Sequence, residues 1–599
     1  MATGGCIKAV HILVISSLFA ATLFSPHIFF WSSTLQLILL LWGLFLWFYR
    51  GVTKGILQFR GFAFPLPLIL LLILAISYSF HSIDYAVSRD FLFYLISYIM
   101  IFFLVVQISP TKEARLIVLT IIILGILTSL YGLYQYLWGF HDLIGKIGAM
   151  ELPYPSPFKE ELIGRLEGGR IFSTFLLPSH FAAFLGISIP LSAAFVLTNK
   201  GWLRYLFGLA AAVQVVALYL TKSFSGWLSL IVASGFFAFL YLGYVKRVRA
   251  RYLIFPLGGL VVVLALIFAG MSLTRPDNPL AAIENNPLVL RTLNWEATIK
   301  MIIDSPWIGK GLHTFGLIYP SYQRPGVNIV HHSHNTYLQL GVEMGIIGTV
   351  VFLWFACWWF WHTVRIFKET KDKKMRVLVG SLMIAGMAFF IHHAFDFEFY
   401  MPSVTLAGFA ILALAIGFLK KDKVYTIAVK RSRRSLFTAA GFIVVIAASL
   451  LLLIPFYGRM HFQRGQSFLQ PGPYHAEEAV AEFKKAIRLD PHNSEYHHQY
   501  GMLLIARRPH LQEGIAEVQE AIRLSPWRHY YYFDLGMIYL VSGEKEKGLE
   551  EIKKASQLYP LNEDYHQWLR AIYLQMGKKD LASQEERWID KILAGGEGS

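Results

Sequence analysis

The sequence predicts an all-α protein: a polytopic bundle of about 13 transmembrane helices, then a soluble α-solenoid of helical hairpins. Three observations predict it. The chain has 599 residues, of which 55% are hydrophobic and only 15% charged. That is too little charge for a soluble protein of this length. Apolar runs of about 20 residues, such as FPLPLILLLILAISYSF and GFIVVIAASLLLLIPFYG, recur through the first three quarters of the chain and are long enough to cross a bilayer. From Gly458 the composition becomes charged and soluble, which divides the chain into a membrane region, 1–457, and a tail, 458–599.

The spans fall near 10–31, 34–49, 64–81, 87–107, 114–139, 172–197, 203–220, 224–244, 252–272, 336–363, 377–394, 401–419 and 435–457. The first has no convincing cleavage site and reads as a retained span, not a removed signal. Basic residues fall in alternate loops: Arg50, Lys54 and Arg60; Lys112 and Arg115; Lys200 and Arg204; Lys246, Arg247, Arg249 and Arg251; Lys368 to Arg376; and the run from Lys420 to Arg434. Cytoplasmic loops carry the excess of lysine and arginine. The N-terminus therefore reads as cytoplasmic. The loops at about 140–171 and 273–335, and the tail, read as extracytoplasmic. The net charge of +16 is explained by these loops, so nucleic-acid binding is excluded. The two cysteines, Cys6 and Cys357, form neither a disulfide framework nor a metal-ligand spacing.

The tail repeats itself. AIRLDP ends at Pro491, AIRLSP at Pro526 and ASQLYP at Pro560, spacings of 35 and 34 residues. Gly501 and Gly536 stand ten residues after the first two prolines, and Arg570 after the third. The pattern resembles the tetratricopeptide repeat, a helix hairpin of about 34 residues. The resemblance implies a curved stack with its first hairpin, 459–489, continuing from the last span. Such a stack would be a docking surface for an unidentified protein partner, without chemistry of its own.

Chemistry concentrates at the two ends of the larger outer loop. Leu290, Leu293, Ala297 and Met301 make an apolar stripe at helical spacing. Arg291, Asn294 and Thr298 lie on another face, and Glu296 can pair with Lys300. Pro306, Gly309 and Gly311 then break the helix. The loop closes on VHHSHNTYLQLGVEMGIIG, Val330 to Gly348.

These motifs resemble the superfamily of O-antigen ligases and polymerases, bacterial envelope glycosyltransferases. Arg291 and Trp295 match its Arg-x-x-x-Trp stretch. His334, Asn335, Gly345 and Gly348 match its closing His-Asn, nine residues, Gly, two residues, Gly. GRIFSTFLLPSHFAAFL matches a further segment through Arg170, Thr174, Phe175 and Pro178, and HHAFDFEFYMP resembles a later one. The resemblance covers the membrane region. It implies transfer of a glycan from an undecaprenyl-pyrophosphate carrier to an acceptor hydroxyl, at the outer face of the bacterial cytoplasmic membrane. The acceptor would be another glycan, a lipid A core or a protein. Membrane lipids surround the site, and no cofactor is implied.

The resemblance also assigns roles. His334 becomes the general base, because imidazole is the side chain that ordinarily titrates nearest neutral pH. Arg291 becomes a pyrophosphate ligand, because a guanidinium binds phosphate through two parallel hydrogen bonds. Asn335 or Ser333 would cap the following helix, whose N-terminus favours an anion. One position departs from the pattern: Phe224 stands where the family carries an arginine, in LTKSFSGW. Lys222 and Arg170 are the candidate replacements. Two residues along a helix is about 200° of rotation, so Lys222 requires an unwound backbone there.

Other polar residues read more plainly. Glu343 lies inside a span and is a functional candidate by default. Nine residues from His334 is about 900° of helix, so the two point to opposite faces and Glu343 reads as a structural partner. Asp396 and Glu398 at an outer helix end would bind acceptor or cap helices. HHSH matches no common zinc spacing, so no metal is expected. A transporter would show an internal repeat around a mid-membrane site, which is absent from the sequence. A scaffold with a degenerate enzyme domain is the other alternative, which Phe224 keeps open.

Overall fold

The computed structural model describes residues 2–26, 29–61, 65–109, 114–148, 163–164, 166–245, 287–325, 327, 329–418, 424–469 and 475–597. Among these, ten helices are long and apolar enough to cross a membrane. They coincide with ten of the predicted spans, and the chain is a multi-pass membrane protein. Two more predicted spans are shorter apolar helices, Leu66–Phe80 and Pro402–Gly417. At 1.5 Å per residue these reach about 22–24 Å, short of the roughly 30 Å of a hydrocarbon core. Every residue of Pro402–Gly417 is buried, so protein and not lipid surrounds it. The span predicted at 252–272 lies outside the described residues.

The chain forms two compact units. The first gathers Met1–Ile69, Tyr94–Pro276 and Phe352–Ser449. At its centre Pro178–Thr198 packs against Ala114–Tyr134, Trp202–Leu220, Phe224–Leu240, Lys373–His392 and Pro402–Gly417. Lipid is as apolar as a leucine side chain, so close packing and interhelical hydrogen bonds must hold such a bundle. Gly125 supplies the first: a Cβ there would lie 2.2 Å from Ser188 Oγ. The second include Ser192 Oγ donating to Gln214 Oε1 at 3.2 Å and Trp359 Nε1 donating to the Leu412 carbonyl at 3.0 Å.

The expectation of a purely helical chain needs one correction. Strand β1, Ile56–Arg60, pairs antiparallel with β2, Val424–Ala428, in the register Ile56↔Ala428 to Arg60↔Val424. Each strand is five residues long and lies in a basic loop. Local periodicity does not reveal a ladder whose two sides are so far apart in sequence. Arg60 anchors it by donating from Nη1 to the Gly417 carbonyl at 2.6 Å. Two loops that share a ladder share one face of the membrane.

The second unit gathers Leu70–Phe93, Asp277–Val351 and Leu450–Ser599. The helix Arg434–Ser467 runs from the last apolar segment into the tail, so the boundary expected at 457/458 lies inside one helix. Seven helices follow: Ala476–Leu489, Ser494–Ala506, Leu511–Leu524, His529–Val541, Lys545–Leu558, Glu563–Gln575 and Lys579–Glu597. Each packs on the next. The repeated glycines mark the closest crossings. A Cβ on Gly501 would lie 2.8 Å from the Gly514 carbonyl, and one on Gly536 3.0 Å from that of Gly548. At the third copy Arg570 instead pairs with Glu586.

The sheet register is testable by cross-linking. Antiparallel partners sit about 4.5–5.5 Å apart at Cα, within the range of about 4.4–6.8 Å that a disulfide bridges. With Cys6 and Cys357 replaced by serine, Gln58→Cys with Thr426→Cys will form a disulfide, detected as a linked peptide by mass spectrometry. Gln58→Cys with Val424→Cys, two residues out of register, will link far less. Equal yields from both pairs would refute the register.

Candidate active site

The helix Pro287–Asp304 carries Arg291 and Trp295 one turn apart. It stops where Pro306, Gly309 and Gly311 predict a stop. Its apolar face, Ala297 and Met301, packs into a cluster with Phe315, Ile318, Tyr319, Val330 and Val342. Glu296 pairs with Lys300 at 3.4 Å and also with Arg324. Trp295 then reaches across, its Nε1 donating to the Ser333 carbonyl at 3.0 Å. The two halves of the predicted motif are therefore physically joined.

His334 follows directly, with a left-handed backbone at φ 52°. A non-glycine residue there carries about 1–3 kcal/mol of strain, which fixed neighbours must offset. Those neighbours are visible. Ser333 Oγ donates to the Asn335 carbonyl at 2.7 Å and accepts from the Asn335 amide at 3.2 Å. Asn335 Oδ1 accepts from the Leu338 amide at 3.1 Å, so Asn335 is the residue that caps the helix Thr336–Glu369.

That helix is broken at Gly345, where φ is 68° and ψ −179°. The loop after Asp304 enters the break. Ile346 N–H donates to the Pro306 carbonyl at 2.8 Å, and Lys310 N–H donates to the Val342 carbonyl at 3.0 Å. Residues 342 and 346 would be partners in an unbroken helix. The loop thus replaces one helical bond with two of its own. Gly311 N–H adds a bond to the Glu343 carbonyl at 3.0 Å. Glycine is required on both sides: a Cβ on Gly345 would lie 2.3 Å from the Trp307 carbonyl oxygen, and one on Gly309 2.5 Å from the Glu343 backbone.

Glu343 is fully buried. Its Oε2 accepts from the His313 amide at 2.7 Å and its Oε1 from Gln339 Nε2 at 2.9 Å. Gln339 Nε2 also lies 3.1 Å from His332 Nδ1, and Gln339 Oε1 accepts from the Ser333 amide at 3.2 Å. The rings of His313 and His332 stack at 5.4 Å. Glu343 thus ties the loop at His313 to the helix that carries Gln339. His332 is tied into its network through Gln339. The signal for Gln339 and Glu343 was their i,i+4 spacing; nothing local pointed to His313.

The remaining candidates lie in the other unit. Lys222 sits between the helices Trp202–Leu220 and Phe224–Leu240 with φ 49°. The backbone is unwound there, so the phase objection to Lys222 does not apply. Lys222 Nζ donates to the Gly168 carbonyl at 2.9 Å and Arg170 Nε to the Thr221 carbonyl at 3.2 Å. These bonds set the two cations beside each other on paired turns. Phe224 opens the next helix, which Ser223 caps by accepting from the Gly226 amide.

Asp396 and Glu398 are fully buried, beside His180, His392 and His393. His392 Nδ1 lies 2.9 Å from Glu398 Oε1, and His180 Nε2 lies 4.0 Å from Asp396 Oδ1. Ligand atoms of His180, Asp396 and Glu398 all fall within 4.8 Å of one another, so this group could hold a cation. The expectation of no metal weighed local spacings; this trio joins His180 to residues more than 200 positions away. Burial pushes the Glu398 carboxyl up to about 7.

Two measurements follow. Gly345→Ala forces a glycine-only conformation and a backbone overlap, and will destabilise the protein by at least about 2 kcal/mol in thermal unfolding in detergent. Gly208→Ala, inside a helix with open space around it, will not destabilise the protein and will raise its stability by up to about 1 kcal/mol. A carboxyl raised in the fold stabilises it while protonated in both states and loses that contribution as pH rises through the folded value. Glu398 by itself therefore contributes a fall in stability as pH rises from 4.5 to about 7, and Glu398→Gln will remove that contribution to the slope. An unchanged slope would exclude Glu398 as its source.

Comparison with known proteins bears on this geometry. Residues 207–353 match the O-antigen ligase family. The exopolysaccharide production protein ExoQ of Rhizobium meliloti (strain 1021) is 26% identical over 234 residues, 37% of this chain and 52% of that protein. The chain thus spans about half the length of the curated relative it matches. Among solved structures, a crystal structure of MamA is 23% identical and covers 28% of this chain and 94% of that one, with a TM-score of 0.22. A MamA RS-1 ArsTM double mutant is 20% identical and covers 24% and 78%, also at 0.22. Both scores are too low to bear on the fold. Over its central membrane segment, which includes His334, Asn335 and both motif glycines, the chain is similar to O-antigen ligases.

Proposed function

We propose that this protein transfers a glycan from an undecaprenyl-pyrophosphate carrier to an acceptor hydroxyl at the outer face of the cytoplasmic membrane, in surface polysaccharide assembly. The observation that carries this reading is the bond from Trp295 to the Ser333 carbonyl. It joins the Arg291 helix to the strained turn of His334, inside the region similar to O-antigen ligases. ExoQ, named for exopolysaccharide production, supports the same class of product.

In this reading the acceptor hydroxyl gives its proton to His334 and attacks the anomeric carbon. The carbon–oxygen bond to phosphate breaks, and undecaprenyl pyrophosphate leaves. Attack opposite the leaving group inverts the anomeric centre, and no step calls for a metal. Arg291 compensates the developing phosphate charge, with Lys222 and Arg170 as further pyrophosphate ligands. Asn335 acts through the cap: it fixes the helix N-terminus beside His334, where the helix dipole favours an anion. Glu343 holds the loop. The tail is read as tetratricopeptide repeats on the outer side.

Loop pairings support the topology. The strands β1 and β2 join two loops read as cytoplasmic. The turns at Gly168–Arg170 and Thr221–Lys222 join two loops read as outer. Ser88 Oγ donates to the Leu312 carbonyl at 2.7 Å, again joining two segments at outer ends.

Reconstitution with undecaprenyl-pyrophosphate glycan and alternative acceptors tests the proposal. Wild type will transfer glycan, and His334→Ala will be slower by about 10²–10⁴-fold, the range for loss of a general base. Arg291→Ala and Lys222→Ala will each lower donor turnover. Product on lipid A core identifies a ligase, and longer lipid-linked chains identify a polymerase. Equal rates for wild type and His334→Ala would remove His334 as the base.

A further inference from the structure

The proline turns of the tail occupy the same place in successive repeats, and all three touch segments from the other end of the unit. At the first turn, Arg89 grips the Asp490 carboxylate with two nitrogens, at 2.7 and 2.9 Å. His492 there meets Tyr85 edge-on at 5.7 Å. At the second turn, Arg528 Nη2 donates to Asp84 Oδ2 at 3.3 Å. Trp527 packs against the cluster of Ala297, Met301, Phe315 and Tyr319, with Lys310 Nζ 5.9 Å from its ring. At the third, Ser321 Oγ donates to the Leu558 carbonyl at 2.7 Å.

These contacts are built into the fold and are not surface coincidences. The carboxylates of Asp490 and Asp84 are 4% and 2% exposed, and their arginines 15% and 19%. A buried charge that loses its partner is strongly destabilising, so these pairs hold their segments in one arrangement. The arrangement also has a route to the site. Ala297 and Met301 lie on the helix that carries Arg291 and Trp295, and Trp527 presses on the cluster they form. Ile83 N–H donates to the Lys310 carbonyl at 3.2 Å, which ties the same loop to the Asp84 turn.

We propose that the C-terminal helical array is a positioning element of the active site: its second and third proline turns clamp the outer loop at 302–322, its first holds the Tyr85–Arg89 segment whose Ser88 bonds that loop, and together they fix the helix that presents Arg291. This rests on the transfer reading for its effect on rate. The edge formed by the proline turns is occupied by the protein's own loop and is not the face offered to another protein. Trp527 is a positioning residue that acts through Ala297 and Met301.

The test uses the full chain in vesicles, with two readouts. Backbone hydrogen exchange at 305–322 and steady-state turnover of undecaprenyl-pyrophosphate glycan are compared in wild type, Trp527→Ala, Trp527→Phe, Asp490→Arg and the swap Arg89→Asp with Asp490→Arg. Trp527→Ala and Asp490→Arg will speed exchange at 305–322 and lower kcat by about tenfold or more, with the donor KM changed less than about threefold. Trp527→Phe and the swap will recover most of both. Unchanged exchange in both damaged variants overturns the clamp. Faster exchange with unchanged kcat overturns the positioning role. If wild type turns over no lipid-linked glycan, the transfer reading fails, and exchange alone then decides the clamp.

Discussion

The insertion of the Pro306–Gly311 loop into the broken helix at Val342–Ile346 is the constraint on which the rest of the site depends. At membrane depth an unsatisfied backbone group costs several kcal/mol, so a helix can break only where protein takes over its bonds. Here the Pro306 carbonyl and the Lys310 amide replace the missing partners of residues 346 and 342. The loop cannot leave without exposing both ends of the break. Because it begins where the helix Pro287–Asp304 ends, that helix is docked too. The Trp295 bond to Ser333 ties the same helix to the turn of His334.

Buried carboxylates then divide by what surrounds them. Glu343 accepts from a backbone amide and a side-chain amide, and so serves as a rivet between loop and helix. Asp396 and Glu398 sit among histidines in a separate cluster, where burial raises the Glu398 carboxyl towards neutrality. The first arrangement fixes geometry. The second holds one carboxyl, Glu398, whose protonation is poised near physiological pH, a property more often found at functional than at purely structural positions.

Much of this was legible because it is local. Length and apolarity mark a span regardless of its neighbours, and Asn335 announces a cap by its place before an apolar helix. Pro306, Gly309 and Gly311 announce a stop. The repeat in the tail shows in AIRLDP, AIRLSP and ASQLYP, and Gly501 and Gly536 fall where helices cross most closely. What was not legible joins residues far apart in the chain. The β1–β2 ladder, the Glu343 bond to His313, the grouping of His180 with Asp396 and Glu398, and the grip of Arg89 on Asp490 leave no mark on local periodicity.

The sequence by itself determined a multi-pass helical protein with a repetitive tail, and it picked out the Arg291 and His334 motifs, because hydrophobic length, turn chemistry and residue spacing act within a few turns of chain. Only the tertiary structure decided how the helix Thr336–Glu369 is interrupted, which histidine Glu343 engages, and what the proline turns of the tail touch. Those choices depend on which distant backbone and side-chain groups satisfy one another once apolar burial has brought them together. A buried polar group must find its partner wherever the fold supplies one.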